Sequence, residues 1–225
     1  MGQMIELTAS DGHKLAAYRA DPAGMPKGGV VVIQEIFGVN QHIREVADGY
    51  AEAGYLAIAP AMFDRMQRDV ELGYVPDDIA IGRDLAFPMG WQTPVLDMEA
   101  AASAAREGGK VGTVGYCWGG SLSYLAACKC NVDASVGYYG GQILKILDDD
   151  PGAKPKVPTI LHFGEKDAGI PMETVDAVKA ANPDIPVYMY DADHGFNCSH
   201  RGSFDEPSAK VALDRTLAFF GEHLS

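Results

Sequence analysis

The segment Gly29-Val30-Val31-Val32-Ile33 has no polar side chain, and Tyr55-Leu56-Ala57-Ile58-Ala59 repeats the pattern further along. A strand with one face in water alternates apolar and polar residues. A strand without alternation is buried on both faces, as in the centre of a mostly parallel sheet. Strand-like runs occur at 4–9, 14–20, 29–34, 55–59, 111–116, 134–139, 157–163 and 186–190. Helical periods lie between them. Ile43, Val46, Ala47, Tyr50 and Ala51 share one helix face, and Leu213, Leu217, Phe220 and Leu224 share another. Thr93-Pro94 reads as a cap and first-turn proline for a helix to about Arg106, and Pro171 opens another to about Ala181. Alternating strands and helices predict an open, doubly wound α/β sheet of about eight strands with helices on both faces. The first two runs predict an antiparallel hairpin across Asp11-Gly12.

The chain of 225 residues is long enough for one sizeable core, and residues 1–225 are read as a single domain. Residues 64–91 show no clean period; with Arg65, Arg68, Tyr74, Arg83, Phe87 and Trp91 they suit short helices covering a pocket. Residues 148–158 read as a surface loop. A net charge of −13 argues against a nucleic-acid surface or an anionic membrane as partner. Neither a signal peptide nor a membrane span is evident. Four cysteines in a chain of this length make no disulfide framework. Cys128 and Cys130 are expected as packing residues near a helix end, in a reducing cytoplasm.

Chemistry concentrates at Gly115-Tyr116-Cys117-Trp118-Gly119-Gly120, which follows the apolar run Val111-Gly112-Thr113-Val114. This is G-x-C-x-G, the cysteine counterpart of the G-x-S-x-G nucleophile elbow. The turn holds its central residue in a strained conformation and aims the first amides of a helix at the thiol. The alternative is a buried cysteine in a glycine-rich β–α loop. Later in the chain, Asp167 follows the strand 157–163 and His194 follows the strand 186–190. Each thus lies just past the end of a strand, in the order nucleophile, acid, histidine that α/β-hydrolases use. Asp191 and Asp193 compete with Asp167 for the acid. Beside them and His194 no further histidine has usable spacing, so no metal site is expected. His13, His42 and His200 are expected near solvent, and His162 in the core. Backbone amides of Ile36 and Trp118 are the candidate oxyanion donors. Glu35 stands directly after an apolar strand, a costly place for a carboxylate unless it has a task or a salt bridge to Arg44 or another arginine.

The segments Gln34-Glu35-Ile36-Phe37-Gly38-Val39-Asn40, Gly115 to Gly120 and Gly137-Tyr138-Tyr139-Gly140 together resemble the dienelactone hydrolase (carboxymethylenebutenolidase) family, over nearly the whole chain. The resemblance implies a monomeric, cofactor-free α/β-hydrolase that opens an enol-lactone carrying a carboxylate. It implies a Cys117–His194–Asp167 triad, with Glu35 restraining the resting thiol and Ile36 and Trp118 supplying the oxyanion hole. One departure concerns the substrate: Cys198 stands where a family arginine holds the carboxylate. Arg201 is expected to substitute, with Arg83 as a second arginine and Tyr138 and Trp91 lining the pocket. A broader esterase or thioesterase with the same triad is the alternative, and a thiol redox sensor the rival from another class.

Overall fold

The computed structural model describes residues 2–225. Eight strands form one sheet: β1 (Gln3–Thr8), β2 (Lys14–Ala20), β3 (Gly29–Ile33), β4 (Leu56–Pro60), β5 (Val111–Tyr116), β6 (Ala134–Tyr138), β7 (Thr159–Gly164) and β8 (Val187–Tyr190). Their spatial order is β1-β2-β4-β3-β5-β6-β7-β8. The two N-terminal strands pair antiparallel across a turn in which Gly12 adopts φ 86°, and β2 lies antiparallel to β4. All later pairings are parallel. The runs without alternation, β3 to β6, are fully buried on both faces, and β7 is as well.

Seven α-helices cover the sheet: α1 (Gln41–Glu52), α2 (Pro76–Ala86), α3 (Gln92–Ala105), α4 (Trp118–Lys129), α5 (Ile143–Asp149), α6 (Met172–Ala181) and α7 (Glu206–His223). Asn40 caps α1, its side-chain oxygen accepting from the Ile43 amide, and Ile43, Ala47, Tyr50 and Ala51 are its buried face. Two expectations about helices need correcting. Thr93 lies inside α3 rather than at its cap, its hydroxyl donating to the Met89 carbonyl, because the chain already enters the helix at Gln92. Leu213 is exposed, since α7 turns its Ala212, Thr216 and Phe220 face to the sheet.

Residues 64–91 do form short helical pieces. Arg65 and Arg68 turn away from any pocket: Arg65 clamps the buried Asp97 and the hairpin residue Asp11, while Arg68 donates to the Lys14 carbonyl. The segment is tied to the β3–α1 loop where the Leu72 amide donates to Phe37 and Asn40 Nδ2 donates to the Leu72 carbonyl. Further on, α2 rests on the same loop through Gly82, where a Cβ would overlap the Ile36 carbonyl. No helix among the described residues is long and apolar enough to cross a membrane.

Candidate active site

Because β3, β5, β6, β7 and β8 run parallel, the loops that follow them open on one edge of the sheet, where α/β folds gather their ligands. Glu35 and Ile36 follow β3, Cys117 follows β5, Asp167 follows β7 and His194 follows β8. Topology alone therefore brings together residues more than a hundred positions apart.

Cys117 is at φ 56°, ψ −117°, a left-handed setting that a β-carbon resists. The strand-to-helix reversal is tight enough that a Cβ at Gly115 would meet the Gly119 carbonyl, and one at Gly119 the carbonyls of Ile33 and Gln34. These clashes explain the glycines flanking the thiol. Trp118 opens α4, so its amide has no partner within the helix. The neighbouring loop is pinned by Gln34, whose Oε1 accepts from the Met62 amide.

His194 Nε2 is 3.1 Å from Cys117 Sγ, and His194 Nδ1 is 2.7 Å from Asp167 Oδ2. The Asp167 carboxylate is buried, and its other oxygen accepts from the Gly169 and Ile170 amides at 2.8 and 3.0 Å. Neither competing acid meets the far ring nitrogen of His194, although Asp193 lines the cavity. Asp191 pairs with Lys166 on the surface, and Asp193 accepts from the His194 amide. Burial opposes a charge on the His194 ring, but the Cys117 sulfur and the Asp167 carboxylate outweigh it and push its pKa up to about 10. The arrangement thus favours an imidazolium beside the Cys117 sulfur.

Glu35 is 1% exposed, and its pKa is raised by burial against the opposing pull of Arg201 and His194. Its partner is Arg201, 3.2 Å from Oε1, while Arg44 pairs with Glu71 instead. The Arg201 guanidinium lies 5.8 Å from the ring centres of both Phe37 and Tyr74.

A cavity of about 420 Å³ opens onto Cys117, Asp167 and His194, with Ile36, Phe37, Ile79, Phe87, Trp118 and Ile170 as apolar walls and Arg83 and Arg201 as cations. Two expected wall residues lie elsewhere. Tyr138 is fully buried, its hydroxyl 2.7 Å from Thr216 on α7, because side chains alternate along β6 and the last strand residue points into the core. Its neighbour Tyr139, at φ 38°, lies beside His194 instead, ring centres 5.1 Å apart. Trp91 lines an adjoining groove because its indole N–H is committed to Asp149 on α5. His42 is buried rather than solvated, and His13 is half-buried. His162 is sealed in the core between Tyr190 and Thr216, as its place inside a strand predicts. Cys198 is fully buried. The sequence reading missed Tyr139, Gln142 and Ile170. The rule that parallel strand ends feed one crevice points to them, since Tyr139 and Gln142 follow β6 and Ile170 follows β7.

This strand order, with a strained turn at Cys117 after β5 and with Asp167 and His194 after β7 and β8, defines an α/β-hydrolase. The model of the dienelactone hydrolase family matches residues 15–224. The chain belongs to that family and is a hydrolase of it. It is 35% identical to the carboxymethylenebutenolidases of Pseudomonas putida and Pseudomonas knackmussii, over 96% of this chain and 94% of each relative. A Klebsiella pneumoniae crystal structure, provisionally assigned as a dienelactone hydrolase, superposes with a TM-score of 0.79 at 34% identity. That match covers 97% of this chain and 98% of the other.

Proposed function

We propose that the protein opens a carboxylate-bearing enol-lactone through an acyl-thioester on Cys117. The observation that carries this reading is the unbroken contact from Cys117 Sγ through His194 to Asp167 at the floor of a cavity containing arginine. The Cys117 thiolate attacks the lactone carbonyl, forming the C–S bond, while the Ile36 and Trp118 amides hold the oxyanion. The ring C–O bond then breaks, and the departing enolate takes the His194 proton, on oxygen or on carbon, which leaves the imidazole neutral. Water, deprotonated by His194, attacks the thioester and releases the acid and the thiolate. Asp167 fixes the imidazole tautomer and stabilises its charged form. Glu35 restrains the resting thiol and assists its ionisation when substrate arrives.

Arg83 lines the cavity with no carboxylate paired to it among the described residues, whereas Arg201 is engaged by Glu35. Arg83 is accordingly the first anchor for a substrate carboxylate and Arg201 the second. The substrate is a small anionic lactone. The protein works as a monomer in the cytoplasm without a cofactor, and its acidic surface suits neither nucleic acid nor membrane. The six apolar walls support a second reading, a broader carboxylesterase with the same triad.

Hydrolysis of a carboxylate-bearing dienelactone and of a neutral activated ester, by the native enzyme and by Cys117→Ala, separates the two. A preference for the dienelactone, lost in Cys117→Ala, is expected. Cys117-dependent turnover of the neutral ester alone would favour the broader esterase, and full activity in Cys117→Ala would reject both.

A further inference from the structure

Behind the nucleophile, three segments bring Glu35 from the β3–α1 loop, His42 from the first turn of α1 and Cys198 from the β8–α7 loop into one buried cluster. Their ligand atoms all lie within 4.8 Å of one another. Each residue is at least nine-tenths buried. Two of the polar atoms have no hydrogen-bond partner: Glu35 Oε2, left over after Arg201 engages Oε1, and His42 Nε2. Buried polar atoms are normally satisfied, so two orphans beside a buried thiol demand a cause.

The geometry points to a binding site for a thiophilic divalent cation of the zinc class. A thiolate, an imidazole and a carboxylate form the mixed sulfur, nitrogen and oxygen set that suits such an ion, with the fourth position left to water. Tetrahedral bonds of zinc length put ligand atoms roughly 3.3–3.8 Å apart, so the cluster closes on an ion with a shift of about 1 Å or less. Binding forms the metal–sulfur bond and sends the Cys198 thiol proton to solvent. Thiolate and carboxylate balance the two charges of the ion. His200, its ring 5.5 Å from that of His42 and its Nε2 2.7 Å from Glu45, stands outside this set. Glu35 belongs to both the metal cluster and the nucleophile's surroundings, so an ion there draws it from Arg201 and inhibits hydrolysis. This last consequence rests on the proposed function; the binding does not.

The test is titration of Co(II) into Cys117→Ala protein, in which the nucleophile thiol cannot serve as a ligand. One ion per chain, with a thiolate-to-cobalt charge-transfer band and release of a proton, is expected. Adding Cys198→Ser should abolish the band, and adding His42→Gln should weaken binding about tenfold or more, each in protein shown by circular dichroism to be folded. No band in Cys117→Ala, or a band that survives Cys198→Ser, overturns the site. For the inhibitory role, Zn(II) should inhibit the native enzyme at concentrations at least about tenfold below those needed for Cys198→Ser, with Mg(II) inert. Equal inhibition of both proteins would place the ion on Cys117 and His194 and overturn that role.

Discussion

At the residue scale, two buried carboxylates near the site receive opposite treatment. Two amides and the His194 ring surround Asp167, so its charge is well met. Glu35 has one arginine and an orphaned oxygen, and burial raises its pKa. Asp167 is placed to steady an imidazolium; Glu35 suits a group that exchanges a proton. Asp167→Asn tests the first assignment. The two amides that hold Oδ1 still fix the side chain, but the charge and the tautomer control are lost. We expect kcat to fall roughly 10²–10⁴-fold. The alkaline limb of kcat/KM, expected near the His194 value of about 10, should move to lower pH, because a charge that raises that pKa is gone. An unmoved limb in the variant would show that Asp167 does not set the imidazole's protonation.

At the element scale, the segment before α3 is the least regular part of the chain and the one that roofs the cavity. Its α2 lies so close to the oxyanion loop that Gly82 cannot carry a side chain without displacing the Ile36 carbonyl, and the next residue is Arg83. Gly82→Ala therefore moves a proposed oxyanion donor and a proposed substrate anchor together. Alanine is the better helix former, so α2 itself should not melt. We expect a fall in kcat/KM of at least about tenfold, consistent with the cost of small displacements in a positioned site, with the helical circular dichroism unchanged. Unaltered kinetics would mean that α2 can shift away from the loop without consequence. The roof also shows where sequence reasoning stops. Apolar continuity marked the central strands and periodicity marked α1 and α7, because those signals record burial against the sheet, while Thr93-Pro94 and Pro171 marked α3 and α6. Nothing comparable separates Arg65, clamped to Asp97, from Arg83, open to the cavity: both are arginines in an aperiodic stretch, and long-range contacts decide between them. Tyr138 and Tyr139 differ by one step of strand alternation, which places one in the core and the other beside His194.

At the scale of the whole molecule, parallel strand direction gathers the site. The ordered Cys117, Asp167 and His194 were legible because each follows a recognisable strand, and strand ends on one edge converge. The Glu35–Arg201 pair and the His42–Cys198 cluster were not, because they join loops whose approach depends on packing. The fold also buries two histidines in neutral form. Burial holds His162 at a pKa of about 3 and, with the nearby His200, His42 at about 4. Both values lie below the unfolded value near 6.5, so the unfolded chain binds protons first and stability is lost as pH falls from about 6.5 towards 4. Each group contributes about 1.4 kcal/mol per pH unit over that window, or about 2 kcal/mol between pH 7 and pH 5. In denaturant titrations at those two pH values, His162→Gln should lose about 2 kcal/mol of the native protein's pH dependence, whatever its absolute stability. An unchanged difference would show that His162 is protonated in the folded state.

The proposed mechanism requires that Cys117 is acylated during turnover. Rapid mixing with an activated ester, acid quenching and mass spectrometry of the intact and digested protein measure this directly. We expect a burst approaching one equivalent per chain, with the acyl group on the peptide that carries Cys117 and none in Cys117→Ala. Steady turnover without an adduct, undiminished in Cys117→Ala, would contradict it.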